Sequence, residues 1–227
     1  MAPIGWINDP NGFCFYKGEY HLFYQYHPYS SQWGPMHWGH VASKDLADWE
    51  HRPIALAPTD EYDKDGCFSG SAIENDGKLY LLYTGHVDLD NSNGGNDRIE
   101  TQCLAVSDDG KHFEKVENNP VIKALPENLN IRTEHFRDPK VWKHGDWYYT
   151  VVGVQTKEES GQVVVYKSQD LINWEFLNIM ATSSVKENLG FMWECPNFAE
   201  VNGHEALILS PQGVKSEGNK FLNVHQS

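Results

Sequence analysis

Apolar positions along the chain come in short bursts and never hold a 3.6-residue period for long, so the pattern predicts strands and few helices. The clearest bursts each follow a glycine. Gly18-Glu-Tyr-His-Leu-Phe-Tyr-Gln25, Gly77-Lys-Leu-Tyr-Leu-Leu-Tyr-Thr84 and Gly145-Asp-Trp-Tyr-Tyr-Thr-Val-Val152 share this form, and Gly203-His-Glu-Ala-Leu-Ile-Leu-Ser210 is a weaker version. A glycine followed by aromatic and β-branched residues predicts a turn feeding a strand.

Two further elements recur in step with these bursts. Ser43-Lys-Asp-Leu-Ala-Asp-Trp-Glu50, Ser107-Asp-Asp-Gly-Lys-His-Phe-Glu114 and Ser168-Gln-Asp-Leu-Ile-Asn-Trp-Glu175 share the pattern S-x-D-x-x-x-[WF]-E with a period of about 60 residues. Shortly before each glycine stands Asp9-Pro10, Ser69-Gly70, Asp138-Pro139 or Glu194-Cys-Pro196. Each unit therefore predicts four strands, and four strands repeated is the pattern of a β-propeller blade. A β-sandwich with coincidental similarity is the competing architecture. The expected blades run over residues 5–60, 61–125, 126–185 and 186–227. The fourth has its first elements and a strand at Phe221-Leu-Asn-Val-His225, but no fourth S-x-D pattern. Propellers protect their sheet edges by closing a ring. The chain is therefore expected to be a propeller truncated within blade four, a piece of a longer protein.

Composition narrows the partners. The 227 residues hold 18 Lys+Arg against 32 Asp+Glu, a formal charge of −14, which argues against nucleic acid or an anionic membrane as the main partner. No run approaches the roughly 18 apolar residues of a membrane span, and the aromatic content of 13% argues against disorder. No signal peptide is visible after Met1. The four cysteines, Cys14, Cys67, Cys103 and Cys195, form no CxxC pair, so structural zinc is not expected. These features favour the cytoplasm, or secretion if a leader has been lost. No phosphate-cradling glycine loop or other cofactor pattern is present, and nothing in the sequence fixes an oligomeric state.

The candidate chemistry lies in the element ahead of each glycine. The first strand of a propeller blade lines the central axis, so Asp9, Ser69, Asp138 and Glu194 would converge on one funnel. Packing alone does not call for converging acids, since like charges at close range cost energy. Glycoside hydrolysis does call for them: one carboxylate attacks or activates while another, its pKa raised by its neighbours, donates a proton to the leaving oxygen. Other features read more plainly. His37 and His40 would face opposite sides of a strand, which argues against a metal pair. Residues 88–97 look faintly like a calcium loop, but Ile99 stands where the loop needs its glutamate, so a surface loop is expected. Trp49, Phe113 and Trp174 are expected between blades. Trp33 and Trp38 are expected to stack on sugar or pack in the core. Cys195 is expected to be a small packing residue that tunes the neighbouring acid.

Trp6-Ile-Asn-Asp-Pro-Asn-Gly12, Phe136-Arg-Asp-Pro139 and Trp193-Glu-Cys-Pro196 resemble the three acidic motifs of glycoside hydrolase family 32, and Phe68-Ser-Gly-Ser71 and Gln25 match further motifs of that family. The resemblance runs from about Gly5 to Ser227. It implies an all-β fold, a five-bladed β-propeller followed by a β-sandwich, with the sandwich and the last blade absent here. It implies Asp9 as nucleophile on the anomeric C2 of a fructofuranosyl unit, Glu194 as acid/base and Asp138 as transition-state stabiliser. Arg137 would bind sugar and bias Glu194, and Asn8, Gln25, Trp33, Phe68 and Ser69 would shape the fructose pocket. No metal or cofactor is implied, and the partner is a small sugar. The activity implied is a retaining β-fructofuranosidase acting on sucrose or sucrose 6-phosphate. The alternatives are a fructan hydrolase or fructosyltransferase of the same family, an inverting arabinanase-type propeller, and a non-catalytic carbohydrate-binding propeller.

Overall fold

The computed structural model describes residues 2–89, 97–183 and 189–219. The chain divides into two compact units, Met1–Lys123 and Ala124–Ser227. All regular structure among the described residues is β. The Phe221–His225 stretch and most of the faint calcium-loop segment lie outside the described residues. Asp88, at the edge of that segment, is held by the His86 imidazole at 3.1 Å and donates its own N–H to Asp65.

The first unit holds two four-stranded antiparallel sheets. β1 (Trp6–Tyr16), β2 (Glu19–His27), β3 (His37–Ser43) and β4 (Glu50–His51) form one in simple up-and-down order. β5 (Gly66–Asn75), β6 (Lys78–Asp88), β7 (Arg98–Ser107) and β8 (Glu114–Lys115) form the other. The second unit holds a four-stranded sheet of β9 (Ile131–His144), β10 (Trp147–Thr156), β11 (Gly161–Ser168) and β12 (Glu175–Thr182), and a hairpin of β13 (Met192–Val201) and β14 (His204–Gln212). The glycine-led bursts are the second strands of these sheets. β2, β6 and β10 are buried over most of their length, which is why they read as continuous apolar runs rather than alternating ones.

The S-x-D pattern is a turn built three times, between β3 and β4, β7 and β8, and β11 and β12. The Ser43 hydroxyl accepts the N–H groups of Asp45 and Leu46, while Asp45 accepts those of Ala47 and Asp48. Ser107 with Asp109 and Ser168 with Asp170 repeat the arrangement. Side-chain oxygens thus satisfy backbone donors that no strand can reach. The residue three beyond the serine takes a positive φ each time: Leu46 at 66°, Gly110 at 72°, Leu171 at 67°. These bonds hold the Asp45 and Asp109 carboxyls below the usual range, and Asp170 at about 2 despite opposing burial.

The aromatic that ends this pattern was expected between blades. Phe113 does sit against the neighbouring sheet of its unit, edge-on to Phe23 at 5.5 Å. Trp49 instead packs on its own sheet, beside Tyr24, Tyr26 and Val41, and its indole donates to Leu46 O. Trp174 makes the same bond to Leu171 O, at 2.8 Å. In both tryptophans the indole N–H closes the S-x-D turn.

Trp38 belongs to the core and not to a sugar surface. It is fully buried with Phe23, Leu81 and Tyr83, and its indole donates to Phe68 O. His40 is equally buried, stacked on Phe23 at 4.3 Å and bonded to His21 at 2.9 Å, while His37 turns to Pro35 O. Burial, with the His21 and Arg52 charges, pushes the His40 imidazole down to about 3. The second unit packs Val151, Val163, Val165 and Trp193 together.

Candidate active site

Each sheet has a bulge of one extra residue on its first strand in or beside which a candidate residue stands, and β1 and β9 each carry a second irregularity as well. In β1 the pairing runs Ile7 with Tyr26 and then Pro10 with Tyr24, leaving Asn8 and Asp9 in the bulge. In β5, Ser69 is the extra residue between Phe68 and Gly70. In β9, Asp138 and Pro139 lie between Arg137 and Lys140, and in β13, Cys195 and Pro196 lie between Glu194 and Asn197. A bulge bends the strand and re-aims its side chains, which is how a sheet offers a polar group at its end without breaking the rest of the ladder.

The register corrects one detail of the repeat. Glu194 is the last paired residue before its bulge, as Arg137 is in β9, whereas Asp138 and Cys195 lie within the bulges. Those two also share a positive φ, 66° and 45°. Glu194 is therefore the counterpart of Arg137, one place earlier than a direct match to Asp138. The prolines mark the same equivalence in the sequence, Pro139 lying two residues after Arg137 and Pro196 two after Glu194.

In the first unit, Asp9 accepts a hydrogen bond from the Ser69 hydroxyl at 3.1 Å, joining the two bulges. Asn11 adds a second link, its side-chain oxygen accepting from Gly70 N. Asn11 is 3% exposed and was not among the expected site residues, although it belongs to the motif that contains Asp9. Asn8 is exposed and held by the Trp6 indole at 2.8 Å. Gln25 is buried and donates to Cys67 O at 3.1 Å, next to Phe68. The loop carrying Trp33 is tied to β5 by the Cys67 N–H to Met36 O bond. This sets the half-buried Trp33 ring edge-on to Phe68, with centroids 6.1 Å apart. The other partner of Phe68 is His86, stacked at 4.0 Å with the planes 10° apart. Asp9, Ser69, Gln25, Trp33 and Phe68 are thus linked through few bonds around the start of β5.

Behind that start lies a buried ion pair. The Lys115 ammonium sits 2.6 Å from Asp63 Oδ2, and Asp63 also accepts from the Tyr83 hydroxyl. Burial works against the Lys115 charge, yet the Asp60 and Asp63 carboxylates and Cys67 hold its pKa up. Breaking a buried pair strands a charge, so this group fixes the segment leading into Phe68 and Ser69.

In the second unit, Arg137, Asp138 and Glu194 form one cluster. An Arg137 Nη2 hydrogen bond reaches Glu194 Oε1 at 2.8 Å, and Arg137 Nε lies 3.9 Å from Asp138 Oδ2. Asp138 is 6% exposed and accepts from the Cys195 N–H at 2.9 Å and from its thiol at 3.7 Å. Cys195 therefore acts on Asp138, beside its expected influence on the adjacent Glu194. Glu194 keeps its side chain 20% exposed, enough to meet solvent or ligand. Gly153 and Gly161 allow this geometry: a Cβ on Gly153 would stand 2.1 Å from Trp193 O, and one on Gly161 2.7 Å from the Trp193 ring.

The model of the glycosyl hydrolases family 32 N-terminal domain matches residues 1–226. Sucrose-6-phosphate hydrolase of Escherichia coli is 49% identical over 99% of this chain and 45% of its own length. Sucrose-6-phosphate hydrolase of Bacillus subtilis is 45% identical over all of this chain and 46% of its own length. Among solved structures, a Bombyx mori family 32 β-fructofuranosidase has a TM-score of 0.87 at 47% identity, covering 98% of this chain and 45% of that one. A mutant of that enzyme, solved in complex with sucrose, matches equally well. The chain spans a little under half the length of the curated relatives it matches.

Proposed function

Because the chain belongs to glycosyl hydrolase family 32, we propose that its residues perform the chemistry of a retaining β-fructofuranosidase. The substrate is sucrose or sucrose 6-phosphate, the compound named for its bacterial relatives. The observation that carries the reading is the placement of Asp9 and Asp138 inside the first-strand bulges, with Glu194 beside one.

The steps follow from oxocarbenium-like chemistry. The Asp9 carboxylate attacks the anomeric C2 of the fructosyl unit as Glu194 gives a proton to the departing glycosidic oxygen. A fructosyl ester on Asp9 results. Water, deprotonated by Glu194, then attacks C2, releasing fructose with configuration retained and restoring both groups. The Ser69 hydroxyl orients Asp9, and Asp138 holds sugar hydroxyls and adds negative charge near the positive transition state. Phe68 and Trp33 supply the apolar wall.

The four sheets read as blades of a five-bladed propeller, divided at residues 5–60, 61–125, 126–185 and 186–227. A cytoplasmic setting is supported by the four cysteines being thiols rather than disulfides. No helix among the described residues is long and apolar enough to cross a membrane.

The test is fructose release from sucrose, sucrose 6-phosphate and inulin by the polypeptide as the cell makes it, with NMR of the first-formed anomer. Asp9→Asn and Glu194→Gln should each lose most activity. No fructose from any of the three substrates, or an inverted first product, would refute the reading.

A further inference from the structure

We infer that His86 is a positioning residue that holds the Phe68 ring in place as a wall of the fructosyl pocket, and so sets how tightly the sugar is bound. The inference rests on the reading of Phe68 as part of that wall.

Phe68 and His86 lie diagonally across the ladder of β5 and β6. Phe68 pairs with Thr84 and His86 with Gly66, in a stretch where the register runs unbroken from Gly66 to Phe68. Diagonal neighbours on an antiparallel pair are within reach of aromatic side chains. A glycine opens the space between them. A Cβ on Gly66 would lie 2.7 Å from the Phe68 ring, so the missing side chain is what lets that ring lie back over its own strand. There it meets the imidazole face to face, with centroids 4.0 Å and planes 10° apart. His86 is buried and Phe68 half-buried, so whatever Phe68 shows to solvent lies away from the covered face.

An imidazole presents a flat face and a polar edge at once, and His86 uses both. Its Nε2 lies 3.1 Å from Asp88 Oδ1. An ionised carboxylate only accepts, so Nε2 is the nitrogen that carries the proton. The Asp88 N–H donates in turn to Asp65 Oδ2 at 2.9 Å, and the Asp65 N–H to His86 O at 3.2 Å. This closed loop of bonds fixes the imidazole plane near the end of β6. Nδ1 lies 3.6 Å from Glu100 Oε1, beyond hydrogen-bond reach of it. A side chain without a ring at this position would leave Phe68 unbacked. A void in a packed interior is closed in part by movement of its neighbours, and here that movement carries the wall away from the sugar.

The test is steady-state hydrolysis of sucrose by the polypeptide as the cell makes it. A wall grips substrate and transition state alike, so its loss appears in KM and not in kcat. His86→Gln keeps a donor for Asp88 and removes the ring. Its KM should rise about 3- to 10-fold, the worth of one aromatic pair, with kcat within about twofold of the parent. His86→Phe keeps the ring, removes the donor, and should bring KM back to within about twofold of the parent. Should either fail to fold by circular dichroism, His86→Leu and His86→Tyr take their places with the same expectations. In a Phe68→Leu background, His86→Gln should add less than about twofold to KM, because both changes remove one shared contact. An unchanged KM in His86→Gln, a fall in kcat alone, a His86→Phe as impaired as His86→Gln, or full additivity with Phe68→Leu would overturn the inference. Phe68→Leu separates the two ideas. If it leaves KM at the parent value, the reading of Phe68 as a wall falls, and the inference with it. If it raises KM while His86→Gln matches the parent, only the role of His86 falls.

Discussion

Gly153→Ala is the substitution that most directly tests how β13 is held. The new Cβ would lie 2.1 Å from Trp193 O, where real contacts stay beyond 3.0 Å, so something must move by about 0.9 Å. The obstacle is a backbone carbonyl, and no rotamer change relieves it. Either β10 or β13 has to shift, and Glu194 is the next residue along. Overpacking of this kind costs about 1–3 kcal/mol, which for a chain of this size lowers Tm by roughly 2–12 °C. A displacement near 1 Å at a catalytic group costs up to about 100-fold in rate. Gly161→Ala is the internal comparison. Its Cβ would meet the Trp193 ring at 2.7 Å, a side chain and not the backbone that leads into Glu194. Activity on sucrose and thermal melts of both variants decide the matter. Gly153→Ala should lose at least tenfold more kcat/KM than Gly161→Ala, by the same scale. Parent-like activity in Gly153→Ala, or a larger loss in Gly161→Ala, would show that the close approach does not position Glu194.

Three further outcomes are expected. Ser69→Ala deletes the hydroxyl on Asp9 and should lower kcat by about 5- to 10-fold, the worth of roughly 1 kcal/mol, with no change in fold by circular dichroism. Below pH 6.5 stability should decline, because His40 titrates near 3 when folded and near 6.5 when unfolded, so the unfolded chain binds the extra proton. The slope from this group is about 1.4 kcal/mol per pH unit, lost progressively from pH 6.5 downward, and His40→Phe should flatten the curve by one proton in urea titrations at pH 7, 6 and 5. An unchanged slope would show that the His21–His40 pair is not the source.

Much of the sheet structure was legible because it is periodic. The glycine before each second strand, the S-x-D turn and the aromatic run recur at matching places, and repetition turns three weak signals into one strong one. The acids could be picked out for the same reason. The register of the bulges was legible only in part. Arg137 and Glu194 occupy the same place in their strands, as the matching prolines Pro139 and Pro196 also imply, whereas the search for acids matches Asp138 to Glu194. Trp33 and Trp38 fall in one stretch of sequence rich in glycine and proline, and only three-dimensional packing separates the buried indole on β3 from the half-buried one in the loop before it. His86 carries no motif of its own. It matters through a partner, Phe68, and a contact across a sheet leaves no mark in a single sequence.

The bulges have a consequence for how such a chain can change. A residue inside a bulge stands outside the regular alternation of the strand, so the pleat does not dictate its side chain. The four sheets use that liberty differently, holding Asn-Asp, Ser, Asp-Pro and Cys-Pro at the corresponding places while the pairing on either side persists. Innovation is thereby uncoupled from the architecture. New reactivity can be sampled at a few sites per sheet, and the many paired residues, which bear the stability, need not be revised to accommodate it.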